Sequence, residues 1–183
     1  TVPDVKPPTH HLFPFSLIGT AGVQKWFELC LDKRSSRSIQ TLNLVLRQKL
    51  PLTRRIQLLG GAFDGLFHYL YPTEEIGDKF TGFLPECQRL RKRANPILGK
   101  KEFPSWPERM ANVYNDSKHA ARVSDSAEFD EIRTYAEGLF LLRVLLADLL
   151  GIKSNELKRL IAVDPLNPRN YSYSSNYDPS QEW

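Results

Sequence analysis

The stretch Trp106-Pro107-Glu108-Arg109-Met110-Ala111-Asn112-Val113-Tyr114-Asn115-Asp116-Ser117-Lys118-His119-Ala120 decides how the chain is read. At about 100° per residue, Trp106, Met110, Val113, Ser117, Ala120 and Ala121 fall on one side of a helix. Glu108, Asn112, Asn115, His119 and Arg122 fall on the opposite side. The same helix thus carries a core stripe and a polar stripe that holds an imidazole, two amides, a carboxylate and a guanidinium. A polar stripe is first of all the wet face of an amphipathic helix. Ser105 is placed to cap this helix and Pro107 fits its first turn, which sets its span at about 106–121.

Upstream, Thr73-Glu74-Glu75 opens a helical pattern with Phe80, Phe83, Leu84, Cys87 and Leu90. It is expected to stop near Asn95-Pro96, since a residue before proline disfavours helix. A loop is expected over 97–104. Arg89, Arg91, Lys92, Arg93, Lys100 and Lys101 lie within thirteen residues that contain no acid. Cations collect at helix C-termini through the macrodipole, and the same cluster is a candidate phosphate grip. Before it, Thr53 is expected to cap a helix with Ile56, Leu58, Leu59, Phe63, Leu66, Phe67 and Leu70. Gly60-Gly61 within it suits close helix packing. Asp64 and His68, at i and i+4, are within reach of each other; such a pair is usually a structural bond and sometimes an acid–base device.

Val23, Trp26, Phe27, Cys30 and Leu31 repeat at helical spacing, Lys33 to Ser38 reads as a polar break, and 39–50 suits either strand or helix, with helix preferred by its context. Residues 1–14 hold Pro3, Pro7, Pro8 and Pro14 and read as an extended leader. His10-His11 there lacks further ligands apart from Asp4. Downstream, Asp125 or Ser126 is expected to cap a last long helix. Its apolar residues, from Phe129 and Ile132 to Leu146 and Leu149, cover nearly all sides over 139–150. It should therefore be central or shared with a second subunit. Gly151 closes it, a short helix follows over 154–161, and 163–183 reads as an irregular tail. Tyr171, Tyr173, Tyr177 and Trp183 in that tail are weak candidates for base stacking.

Composition sets the outer bounds. The chain of 183 residues is long enough for one domain with a sizeable core. Its hydrophobic and charged contents, 41% and 25%, are those of an ordinary globular protein. Net charge is +4 and the pI is near 9.1, too mild to indicate nucleic acid without the clustering. No apolar run is long enough to cross a bilayer and there is no signal-peptide pattern. Cys30 and Cys87 stand far apart without a CxxC or a His/Cys cluster, which argues against a disulfide scaffold or zinc site and suits a reducing, cytoplasmic setting. No Gly-rich phosphate loop, GxSxG, HExxH or DxDG sequence occurs. A start at Thr1 leads to the expectation of an excised part of a longer protein.

Three pieces in this order resemble a HEPN domain, in particular the C-terminal HEPN domain of ApeA-like anti-phage defence proteins. Leu58-Leu59-Gly60-Gly61-Ala62-Phe63-Asp64-Gly65-Leu66-Phe67-His68 is similar to a family helix ending in a Glu-Gly-Leu-His-like sequence. Val113-Tyr114-Asn115-Asp116-Ser117-Lys118-His119 is similar to the family's Arg-Asn-x-x-Lys-His or Arg-Asn-x-x-x-His signature. Leu141 to Ile152 is similar to its long closing helix with a Leu-Gly-Ile end. The likeness covers about 53–162. It implies an all-α, HEPN-like up-and-down helical bundle over 53–162, preceded by the leader 1–14 and a helical connector 15–52, and followed by the tail 163–183.

The resemblance further implies a metal-independent endoribonuclease, of phage-defence or toxin type, with no cofactor. It would form a homodimer and act on RNA such as tRNA, under an upstream sensor domain. Attack by the RNA's own 2′-hydroxyl needs a base of pKa about 7, which histidine supplies, and a guanidinium to stabilise charge on phosphorus. His119 would be acid or base, Asn115 would position it, and Arg122 or Arg109 would support the phosphate. Arg89, Arg91, Lys92, Arg93, Lys100, Lys101 and Lys118 would grip RNA. The sequence departs from the family at one place: Tyr114 occupies the arginine slot and projects toward the apolar side. The alternative is therefore an inactive HEPN module that dimerises and binds RNA or protein.

Overall fold

A computed structural model describes residues 14–72, 82–118 and 128–170, and these are all-helical, without a strand. The helices are α1 (Phe15–Leu31), α2 (Ser35–Arg47), α3 (Leu52–Leu70), α4 (Phe83–Arg93), the single turn α5 (Asn95–Leu98), α6 (Trp106–Lys118), α7 (Glu128–Leu149) and α8 (Ser154–Ala162). No helix among the described residues is long and apolar enough to cross a membrane.

Two helices organise the rest. α3 packs against α2, α4, α6 and α7, and α7 against α2, α3, α4, α6 and α8. Residues 139–147 of α7 are all buried. Its apolar coverage is thus consumed within one chain, and a second subunit is not needed to explain it. Phe63, Phe67, Trp106, Phe140 and Leu141 are fully buried, each side chain of this size contributing roughly 1.5–3 kcal/mol by leaving water. The Trp106 indole, 4.8 Å from Phe63 by ring centroids, donates its N–H to the Thr134 carbonyl at 3.1 Å, so the ring is buried with its polar handle satisfied.

α7 ends as the sequence predicts. Gly151 takes φ +85°, its N–H donates to Asp148 and that of Ile152 to Ala147, the paired bonds of a Schellman cap. Other expectations change. Thr53 lies inside α3; Pro51 precedes the helix and no side chain caps it. The polar break is the start of α2: Ser35 donates to the Leu29 carbonyl at 2.8 Å and Ser38 to the Ala62 carbonyl at 2.7 Å. Small hydroxyl side chains that bond carbonyls let the helices approach closely. With Leu42 and Val45 in the main core, α2 is part of the bundle and not a connector outside it. Asn95-Pro96 begins a helical turn within the expected end-and-loop region, because Pro is tolerated in a first turn.

The tail also differs from expectation in its first part. Asp164 and Asn167 are buried. The Arg143 guanidinium of α7 pairs with the Asp164 carboxylate at 2.9 Å, Asn167 donates to the Ile161 carbonyl at 2.7 Å, and Pro168–Asn170 forms a 3-10 turn. The expected caps Asp125 and Ser126, the leader with His10 and His11, and the tail aromatics Tyr171, Tyr173, Tyr177 and Trp183 lie outside the described residues.

Candidate functional site

The polar stripe of α6 stands where the sequence puts it: Glu108, Asn112 and Asn115 are exposed, while Trp106 and Met110 are buried. His119 and Arg122 lie outside the described residues, so the observed part of the corner ends at Lys118. Its location is set by α3. Gln57 donates to the Ser117 carbonyl at 2.6 Å. The Tyr114 ring lies directly over Gly60, where a Cβ would come within 2.3 Å of ring carbons. Phe83 of α4 meets the same ring at 4.6 Å between centroids, and the Lys118 ammonium sits 3.7 Å from its centroid. Gly60 therefore makes a notch that the Tyr114 ring fills. Gly61, its neighbour, has nothing near a hypothetical Cβ.

Arg109 is committed elsewhere. Its guanidinium bonds the Glu137 carboxylate, the Thr134 hydroxyl at 3.3 Å and the Ser105 hydroxyl. Glu137 is almost fully buried and also holds Arg133 at 2.9 Å. Arg109 lies nine positions before Lys118, roughly 13 Å along the helix axis, so it tethers α6 to α7 and does not reach the corner.

The basic cluster divides into two kinds of residue. Arg91 is buried, with its N–H groups on the carbonyls of Gly99 and Glu102 and on the Asn95 amide oxygen; burial lowers the pKa of its guanidinium. It fixes the 99–102 loop and offers nothing to a ligand. Arg93 pairs with Asp148 at 2.8 Å. Arg89, Lys92, Lys100, Lys101 and Lys118 are exposed. The Arg91 bonds thus hold the loop from which Lys100 and Lys101 project.

A second polar group lies where α3 meets α4. The His68 Nε2 is 3.5 Å from an Asp64 carboxylate oxygen, and Arg37 of α2 lies 3.8 Å from the other oxygen of Asp64. Glu86 in the first turn of α4 joins them: one ligand atom from each of Asp64, His68 and Glu86 lies within 4.8 Å of the others. Glu86 is 5% exposed, and its Oε2 is buried with no hydrogen-bond partner among the described residues. Burial, aided by the Asp64 carboxylate, pushes its carboxyl up to about 7, while His68 and Lys118 pull the other way. Sequence reasoning paired Asp64 with His68 but missed Glu86. The signal was there: at helical spacing Glu86 falls on the stripe of Phe83, Cys87 and Leu90, and an acid on a buried stripe is unusual.

Compared with known proteins, the chain matches no family model, and neither a curated protein nor a solved structure is detectably similar to it.

Proposed function

We propose that this chain is a HEPN-like helical module that binds RNA and does not cut it by the metal-free route of its suggested family. The observation that carries this reading is the fate of the arginine position. Tyr114 stands in that slot, wedged over Gly60 and against Phe83, and Arg109 is held by Glu137. Neither supplies a guanidinium to a phosphate beside position 119, and removing such charge stabilisation is costly to phosphoryl chemistry. The exposed cations Arg89, Lys92, Lys100, Lys101 and Lys118 supply a sequence-independent phosphate grip. The test is equilibrium binding of a labelled tRNA at increasing salt. Log affinity should fall steeply with log salt, and Lys100→Glu with Lys101→Glu should weaken binding. Affinity indifferent to salt and to both changes would remove RNA from the account.

The second reading is the endoribonuclease, with His119 as acid or base, Asn115 as its positioning residue and Arg122 as phosphate support. It is favoured by the exposure of Asn115, which no structural bond in the bundle claims among the described residues. Homodimerisation, an upstream sensor domain and a cytoplasmic setting belong to the same family reading, and sedimentation at micromolar concentration tests the first of them.

A further inference from the structure

We infer that Asp64, His68 and Glu86 form a divalent-cation site, with Zn²⁺ as its ligand class and a water completing the coordination. This does not rest on the RNA reading. Asp64 and His68 are one helical turn apart on α3, so their side chains emerge on the same face. Glu86 comes from α4, which packs on α3. Two ligands at 2.0–2.1 Å from a tetrahedral zinc are roughly 3.4 Å apart. The separation of His68 Nε2 from the Asp64 oxygen is 3.5 Å: long for a hydrogen bond and near that tetrahedral edge. The Glu86 carboxylate needs to move by on the order of 1 Å to complete a third ligand position. One imidazole with two carboxylates is a donor set that suits zinc and leaves a coordination position open.

A second observation is independent of the spacing. Glu86 is buried, and its Oε2 lacks a hydrogen-bond partner among the described residues. A buried carboxylate oxygen without a partner is expensive, and a cation at this place would offset that cost. It would also neutralise the two carboxylates that face each other across the α3–α4 contact. The side chains of Asp64 and His68 are 40% and 31% exposed, which gives the ion and its water a path from solvent. Bound there, the ion clips α4 onto α3 beside Lys118 and the end of α6. Lys118 and Arg37 border the carboxylates, and Arg34 donates to the His68 carbonyl at 3.1 Å.

The experiment is calorimetric titration of chelator-stripped full-length chain with Zn²⁺, alongside the absorption spectrum of the Co²⁺-loaded chain. The expected result is one high-affinity ion per chain, a raised thermal midpoint and tetrahedral Co²⁺ bands. Loss of a direct ligand in His68→Gln or Glu86→Gln should weaken binding by about 100-fold, at the upper end of the 10–100-fold typical for outer-shell partners. Asp64→Asn and His68→Gln, at partly exposed positions, keep the test open should the buried Glu86 change impair folding. His10→Ala with His11→Ala serves as a control and should leave binding unchanged. No uptake, or uptake lost with His10 and His11 and indifferent to Asp64→Asn, would overturn the inference.

Discussion

Gly60 and Tyr114 show how one missing Cβ decides what a helix presents. Any side chain at position 60 would intrude on the Tyr114 ring, which is also packed by Phe83 and the Lys118 ammonium. Gly60→Ala is predicted to cost about 1–3 kcal/mol, the usual penalty of overpacking a filled site. Gly61→Ala, one residue on and facing open space, should stabilise by about 0.5–1 kcal/mol, because a helical glycine carries an entropic cost. Urea unfolding of the two variants checks the pair. Glu86 gives a prediction in pH. Its carboxyl is raised from 4.5 to about 7 in the folded chain, so the folded state holds a proton that the unfolded state releases over that interval. In metal-free protein this contribution to stability is fully present below pH 4.5 and is lost as pH rises through 7, by on the order of 3 kcal/mol at most. Glu86→Gln should flatten that slope, as read from denaturation midpoints across the range. A slope unchanged in the variant would show that another group carries it.

Among the elements, α7 draws the largest structural consequence from a single ion pair. Arg143 interrupts an apolar helix, and its side chain and that of Asp164 are 2% and 3% exposed. Asp164 also accepts the Leu166 N–H at 2.8 Å, so one carboxylate pins the start of the segment after α8. Asp164→Ala removes the carboxylate that pairs with the buried Arg143 guanidinium and is predicted to cost about 3–5 kcal/mol. Replacing both partners by apolar residues, Arg143→Met with Asp164→Leu, should recover most of that loss, since the desolvation penalty disappears together with the attraction. Thermal or urea melts of the single and double variants decide it. The pair also marks what sequence patterning could and could not reveal. Long periodic helices with end signals were legible: α7 with Gly151, α8 to within a residue, and the core stripe of α6. Ser35 and Ser38 were not, because hydroxyls that bond carbonyls inside a helix contact look like a polar break in a linear pattern. The packed 164–170 segment was missed for a related reason: its order comes from Arg143, twenty-one positions before Asp164, and not from local periodicity.

At the scale of the whole molecule, the candidate site was legible as a face of α6 but not as a constellation. Exposure of Asn112 and Asn115 follows from helical phase alone. That Arg91 would be buried to hold a loop, that Arg109 would lock onto Glu137, and that Glu86 would join Asp64 and His68 all depend on which helices meet, which spacing along one helix does not contain. These placements support the proposed binder over a nuclease: the exposed charges would suit a phosphate backbone, whereas Arg109, the arginine nearest position 119 in sequence among the described residues, holds α6 to α7, and Arg91 holds a loop. The most direct test is to incubate end-labelled tRNA with the full chain in EDTA, verify binding by a mobility shift, and then resolve the RNA under denaturing conditions. The account predicts bound RNA of unaltered length. RNA that is cut by the unmodified chain and left whole by His119→Ala would contradict it and establish the nuclease instead.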